Sequence, residues 1–459
     1  MTRTPPKQPL VAVIGATGTG KSQLAVEIAK RYNGEIINGD AMQLYAGLPI
    51  LTNKITPDEQ EGIPHHLLGC IALHEQTWVV GTFIRHALKT IEEIRARGKL
   101  PILVGGTHYY TQSLLFYDRL AEDEEEREQR EFIVDTSDKW PILKEPTDVL
   151  LKELNRIDPV MADRWHPNDR RKIQRSLEIY LQTGKRASDI YAEQRARKEE
   201  VGAEEAGEPK MRFPALLIWV HCEAAVLRER LDKRVDKMLA NGLLDEVNTL
   251  DRFARDQETQ GTRVDDGKGI WVSIGYREFR DYVRKLHTSV DEQQTLEKLK
   301  AIALEATQAS TRQYAKRQVR WIRIKLVNAL MQANASHQMY LLNGSDVSRF
   351  EETVVDPALQ LTGQYLRAED MPAPSTLSTV AAEQLQPKRD DLAGAPEAWV
   401  KQYCSVCDTT SVTPTQWQQH ISSKSHKKRV SKARQAESRT AGLYRDPSGN
   451  EAKSDEVLQ

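Results

Sequence analysis

Short β-rich runs punctuate an otherwise charged chain: LVAVIG from Leu10, GEIINGD from Gly34, LPILVGG from Leu100 and ALLIWVHC from Ala215. Stretches of helical periodicity separate them, and strands alternating with helices predict a parallel, doubly wound α/β sheet. Between PILVGGTHYY and ALLIWV lie about a hundred residues with no strand signal, rich in charge and helical spacing. These are expected to form a helical insertion, with LAEDEEEREQREF as a solvated helix face. Helical patterning resumes from Glu223 to about Leu326, and HQMYLLNGSD follows as a final short element. From Arg367 the chain turns to Pro, Ser, Thr, Ala and charge (MPAPSTLSTV, QLQPKRDDLAGAPE), too poor in large apolar residues to fold alone. Aromatic, cysteine and histidine residues then return, ahead of a polar tail. The expected organisation is a sheet core in two parts, 1–115 and 211–366, interrupted by the insertion at 116–210. A flexible linker at 367–397, a small module at 398–436 and a tail at 437–459 follow. There is no internal repeat.

Composition narrows the functional classes. A chain of 459 residues implies two to four units. A formal net charge of −1 gives no global attraction to nucleic acid, so any such binding must use local basic patches. No apolar stretch approaches the ~20 residues needed to span a bilayer, so no membrane partner is expected. The opening MTRTPPKQPL runs almost at once into the first strand, so neither a secretory h-region nor a convincing transit peptide is expected. Four cysteines, at 70, 222, 404 and 407, fit a reducing compartment.

The first strand leads into GATGTGKS, residues 15–22, which has the full spacing of a phosphate-cradling loop between strand and helix. Gly15, Gly18 and Gly20 permit tight turns and close approach, and the N–H groups from Ala16, Thr17 and Thr19 onward point inward. The following helix offers its positive end, Lys21 adds a point charge, and Ser22 can bind a phosphate-associated Mg²⁺. Nucleotide hydrolases of this type carry an acid at the end of a second apolar strand, whereas LPILVGGTHYY ends in Gly105-Gly106-Thr107. The strand-end acid is Asp40, in GEIINGDAMQLYAGL. Such a carboxylate can be a metal ligand, a general base or a helix cap.

Taken together, GATGTGKS, GDAMQLYAGL, GIPHHLL, LPILVGGTHYY, HPNDRRKIQRSLEIYLQTGKRAS, SIGYREF and TRQYAKRQVRWIR closely resemble the tRNA dimethylallyltransferases, in family order from about residue 10 to 325. The resemblance implies a P-loop-type fold and a diphosphate that belongs to dimethylallyl diphosphate. Family members move the dimethylallyl group to N6 of the adenosine immediately 3′ of the anticodon. It further implies that residues 15–22 cradle the leaving group, that Asp40 is the catalytic carboxylate, and that Thr107 contacts substrate near the reacting centre. Arg234 is expected as a diphosphate clamp, with Arg230 as the alternative; both also suit an ordinary helix surface. Asp40, Ala41, Met42, Gln43 and Thr107 are expected on the tRNA side. Ala16, where many relatives carry proline, and Leu51, where bacterial relatives commonly carry glycine, remove no chemical group.

The basic patch that net charge demands is local. HPNDRRKIQRSLEIY places Arg170, Arg171, Lys172 and Arg175 within two turns. In the family this segment meets the anticodon stem-loop, and Arg171, Lys172, Ile173, Gln174 and Arg175 align with the contact stretch; a salt-bridged helix face has the same pattern. In TRQYAKRQVRWIR, Arg312, Lys316, Arg317, Arg320 and Arg323 interleave with Tyr314 and Trp321, aromatics suited to base stacking or to core packing. Near the carboxyl end, Cys404 and Cys407, twelve residues, then His420, five residues and His426 give C-x₂-C-x₁₂-H-x₅-H. Two thiolates on a turn and two imidazoles on a helix predict a structural Zn²⁺ site in a small ββα-like finger. It resembles the matrin or U1-type finger and the extension of eukaryotic, including fungal, family members. The following KSHKKRVSKAR suits RNA contact or a nuclear-import signal. A monomer is expected, cytoplasmic, with mitochondrial and nuclear shares left open. Two other classes share parts of the pattern: a P-loop nucleotide or small-metabolite kinase, and a non-catalytic RNA-binding finger protein.

Overall fold

The computed structural model describes residues 4–117, 140–200, 210–261, 264–286, 293–387 and 400–443; the acidic run of the insertion, the later linker and the end of the tail lie outside these. The chain packs as two units, one formed by 1–126 and 207–390, the other by 127–206 and 391–459.

In the first unit, β1 (Leu10–Ile14), β2 (Gly34–Asn38), β3 (His65–His66), β4 (Leu100–Val104), β5 (Ala215–His221) and β6 (Met339–Asn343) form one sheet, ordered β3-β2-β4-β1-β5-β6. Every neighbouring pair is parallel. Leu10, Ala12 and Ile14 face one core with Phe83 and Ile91 of helix Val80–Ala96. Val11 and Val13 face the other, with Leu24 and Ile28 of helix Lys21–Arg31 and Leu361 of helix Asp356–Arg367. Covering both faces is why these strands read as unbroken apolar runs rather than as alternation. Glu35 is the exception within β2. Its buried carboxylate binds Arg97, Lys99 and His66 at 2.5, 3.0 and 2.6 Å. Burial pushes this carboxyl up, but the three partners outweigh it and hold the group at about 2.

Because β1, β2 and β4 run parallel and adjacent, the loops leaving their carboxyl ends gather along one edge, the usual place for a ligand in an open α/β sheet. Those loops carry GATGTGKS, Asp40 and Gly105-Gly106-Thr107. Over them lies helix Gln293–Trp321, which passes into a π-helical turn at Ile322–Leu326.

Three features depart from the sequence reading. HQMYLLNGSD supplies β6, a full member of the sheet, and GIPHHLL supplies the edge strand β3. The start of the expected linker is folded: helix Thr379–Gln384 is capped by the Ser378 hydroxyl, Ala381 is fully buried in the core, and the Tyr340 hydroxyl bonds the Pro372 carbonyl at 2.9 Å. Small residues such as Ala381 fit against β6 without the large apolar payload that sequence reading looks for.

The second unit holds the helical insertion, with helices Thr147–Ile157, Pro159–Arg164, Arg170–Thr183 and Ala187–Glu200. Leu143, Leu150, Leu154, Ile173 and Leu177 fill its core. Asp158, 1 % exposed, joins the helices by accepting from the Met161 and Ser188 N–H groups. The finger belongs to the same unit. Its strands β7 (Gln402–Cys404) and β8 (Thr409–Ser411) pair antiparallel and lead into helices Pro414–Ser422 and Lys424–Leu443. His166 Nε2 lies 3.1 Å from the Thr410 carbonyl, and Lys401 Nζ donates to the Ala162 carbonyl at 3.0 Å.

Candidate active site and metal centre

Gly15, Gly18 and Gly20 all adopt positive φ, at 147°, 80° and 90°. At Gly15 a side chain is impossible for a second reason, since a Cβ would sit 2.4 Å from the Val220 carbonyl oxygen. The loop therefore hugs the end of β5, and its Thr17 N–H donates to Gln318 Oε1 at 2.8 Å. Lys21 Nζ donates to the Ala16 carbonyl at 2.6 Å, and Arg234 donates to the Thr17 hydroxyl at 2.6 Å. Arg230, the alternative clamp, is committed elsewhere, to the carbonyls of Gly344 and Ser345. Of the two arginines, only Arg234 reaches the loop.

Asp40 lies opposite these cations. Its Oδ1 accepts from the Met42 N–H at 3.0 Å, an Asx-turn contact, while its own N–H donates to Asn38 Oδ1 at 3.0 Å. Oδ2 approaches Gly106, at 3.1 Å from where a Cβ would stand. Capping thus uses one oxygen and leaves the other towards the Gly105-Gly106-Thr107 turn. The Thr107 hydroxyl accepts from the Ala41 N–H at 3.0 Å, and Gln43 Nε2 donates to the Asn53 carbonyl at 2.8 Å.

Burial governs the charges here. It raises the Asp40 carboxyl above its ordinary range, against the Met42 N–H and the positive charges of Lys21 and Arg234. Burial also lowers the Lys21 ammonium to about 8, with Asp40 opposing and Arg234 reinforcing the fall. Arg234 is lowered to about 10, chiefly by burial. His108, 3 % exposed beside the loop, is held neutral by burial and then by Lys21, its ring lowered to about 3. Two cations and one carboxylate, all desolvated, leave a site that gains from a polyanion.

The helix over these loops contributes residues that the motif reading did not place in the site. The Tyr314 hydroxyl, raised by burial and by Asp40, faces Thr107 and Gln318, and so Tyr314 is not a free stacking platform. Gln318 is buried and hydrogen-bonds both the P-loop and Gly106. A usable signal was present: Thr311, Ala315, Gln318 and Ile322 recur at helical spacing and are all buried, so a glutamine on that stripe must find internal partners.

In the insertion, the basic helix separates into two faces. Arg171, Lys172 and Arg175 are exposed, Lys172 and Arg175 pairing with Asp169 and Glu178 at 3.0 and 3.5 Å. Gln174 donates to Glu178 at 3.1 Å. Arg170 instead ties back to the Glu145 and Leu143 carbonyls. Ile173, also expected in the contact stretch, has its side chain fully buried in the insertion core, because helical spacing turns every third or fourth residue inward. Arg312 likewise pairs with Asp232 rather than standing free.

Cys404, Cys407, His420 and His426 converge, their ligand atoms all within 4.8 Å of one another. Both sulfurs lie near His426 Nδ1, at 3.6 and 3.4 Å. A tetrahedral zinc with Zn–S of about 2.3 Å and Zn–N of about 2.0 Å separates S and N by roughly 3.5 Å. His420 Nε2 is buried with no protein partner, as a ligand to a metal would be. The two histidines were expected on one helix, but the chain breaks at Ser423, with φ −64° and ψ 144°. Six residues of continuous helix would leave His426 about 120° round from His420, and the break re-aims it.

The IPP transferase family profile matches residues 43–325, and a profile described as a double-stranded RNA-binding zinc finger matches 403–427. The tRNA dimethylallyltransferase of Schizosaccharomyces pombe is 36 % identical, over 95 % of this chain and 98 % of its own. The chain belongs to the tRNA dimethylallyltransferases. The human enzyme of that name is also 36 % identical, over 94 % of this chain and 87 % of its own. A solved eukaryotic dimethylallyltransferase acting on tRNA has a TM-score of 0.69 at 30 % identity, covering 95 % of this chain and all of that one. This chain is thus an enzyme of the eukaryotic type, with a C-terminal finger whose Cys₂His₂ cluster suits zinc. Among the described residues no helix is long and apolar enough to cross a membrane.

Proposed function

We propose that this chain transfers the dimethylallyl group of dimethylallyl diphosphate to N6 of the adenosine immediately 3′ of the anticodon in tRNA, releasing diphosphate. The observation that carries the reading is the placement of the buried Asp40 carboxylate opposite Lys21 and Arg234 of an anion cradle, with Thr107 beside it. Adenine N6 is a weak nucleophile because its lone pair is delocalised into the ring. Asp40 accepts the N6 proton as the N6–C1 bond forms and the C1–O bond to diphosphate breaks. The loop 15–22 and Arg234 take the negative charge that develops on the leaving group. Mg²⁺, a hard cation that prefers oxygen ligands, would be held by the Ser22 hydroxyl and the diphosphate oxygens and would neutralise part of that charge.

Reaching N6 requires the adenosine to leave its stack and enter on the Asp40–Thr107 side. Arg171, Lys172 and Arg175 supply phosphate contacts to the anticodon stem-loop, and the finger, folded on Zn²⁺ held by Cys404, Cys407, His420 and His426, adds further RNA contacts. Incubation of unmodified tRNA with the protein and dimethylallyl diphosphate, followed by nucleoside mass spectrometry, is expected to show N6-dimethylallyladenosine with no ATP requirement. ATP-dependent phosphoryl transfer in its place would favour a kinase.

A further inference from the structure

Gln318 is 4 % exposed, and both ends of its amide are in use. Oε1 accepts the Thr17 N–H at 2.8 Å, and Nε2 donates to the Gly106 carbonyl at 2.8 Å. These partners sit on loops leaving different strands, β1 and β4. A Cβ on Gly106 would fall 2.4 Å from Gln318 Nε2, so the amide approaches bare backbone there. One turn earlier on the same helix, the Tyr314 hydroxyl faces Gln318 and Thr107. A glutamate would offer only acceptors and a lysine only donors, so neither satisfies one N–H and one carbonyl at once.

We infer that Gln318 is a positioning residue for the transfer, a single buried amide that sets the spacing between the diphosphate cradle and the Asp40–Thr107 half of the site. The inference rests on the proposed reaction. C1 of the donor is placed through its diphosphate on the loop containing Thr17, whereas N6 is placed by Asp40 and Thr107. Reaction requires the two atoms at about 3–3.5 Å, and a ~1 Å misplacement costs on the order of 10²-fold in rate. Each half keeps its own binding groups when the strap is lost. Misaligned donor then becomes open to water, whose oxygen bonds C1 as the C1–O bond to diphosphate breaks, giving dimethylallyl alcohol, diphosphate and a proton released to solvent.

The test uses the full-length protein with Gln318→Met, which keeps volume and loses both hydrogen bonds, and Gln318→Glu, which keeps the acceptor for Thr17 and opposes the Gly106 carbonyl. Thermal unfolding checks the fold, and calorimetry with inorganic diphosphate checks the cradle. Both variants are expected to lose 10- to 100-fold in kcat, with KM for dimethylallyl diphosphate and for an anticodon stem-loop RNA within about threefold of wild type. Diphosphate released should exceed prenylated adenosine formed, whereas wild type gives equal amounts. Wild-type kcat and product ratio in a folded Met variant would overturn the inference. So would a raised donor KM with kcat and ratio intact, which would confine Gln318 to shaping the cradle; should the Met variant not fold, the same outcomes in the Glu variant decide. A wild-type protein that forms no prenylated adenosine identifies failure of the reaction itself.

Discussion

Asp40 divides its carboxylate, with Oδ1 on the Met42 N–H and Oδ2 towards the Gly105–Thr107 turn, so the side chain can cap with one oxygen and, in the proposed reaction, accept a proton with the other. Asp40→Asn keeps the shape and removes the proton acceptor. Turnover should fall about 10²-fold or more, with both substrates still bound; near-normal turnover would reduce Asp40 to a cap. The pH dependence has a definite sign. Burial raises this carboxyl, and a base must be ionised, so the acidic limb of kcat/KM should lie above the usual aspartate value of about 3.9. The alkaline side belongs to Lys21, which burial lowers to about 8 in the free enzyme. Losing its proton removes charge from the cradle, so kcat/KM for dimethylallyl diphosphate should decline as pH rises through about 8. Lys21→Arg, which stays charged, should abolish that decline, and a decline that persists in the variant would assign it to another group.

At the scale of elements, legibility followed how completely each element was buried. β1, β2, β4 and β5 were readable because helices cover both faces and demand uninterrupted apolar runs. β3 was not, because two half-buried histidines at a sheet edge carry no apolar pattern; the strand exists through its pairing with Ile36 and Ile37. The cradle, Asp40 and Thr107 were legible as motifs, whereas Gln318 was hidden among cations whose exposed neighbours suggested a nucleic-acid surface. Helix Thr379–Gln384 was obscured by its Ser and Thr flanks. Glu35 is the clearest electrostatic feature of an element, a carboxylate inside β2 satisfied by three cationic or hydrogen-bonding partners. A carboxyl held at about 2 in the fold and about 4.3 when unfolded contributes stability above the unfolded value, lost as pH falls through the folded one. Glu35→Gln should therefore cost about 2–3 kcal/mol in urea unfolding at pH 7. The difference should persist at pH 5 and narrow only as pH falls from about 4 towards about 2; equal stability at pH 7 would show that the ion pairs only offset desolvation.

For the molecule as a whole, the question is what the finger adds to an enzyme whose proposed reacting groups, Asp40, Thr107 and the loop 15–22, all lie in the first unit. The finger is not merely trailing on a tether, since Thr410 and Lys401 meet His166 and Ala162 of the insertion. Its own core is small, and modules of this kind owe their fold to the metal. Cys404→Ser removes one of four ligands and should release zinc and unfold the finger while thermal unfolding of the sheet unit stays unchanged. Lys424, Lys427, Lys428 and Arg429 lie in the first two turns of the helix Lys424–Leu443 that carries His426, so losing the finger removes these cations. If those cations neutralise phosphates, the tRNA KM should rise and its salt dependence flatten, each lost phosphate contact lowering the slope by roughly 0.7–0.9. Turnover at saturating tRNA should stay within about twofold of wild type, because an interaction lost equally from ground and transition states changes KM and not kcat. Steady-state kinetics at two salt concentrations separate the outcomes. A fall in kcat at saturating tRNA would show that the finger, through the insertion it packs on, helps to orient the bound adenosine, and unchanged kinetics would leave the basic run to targeting.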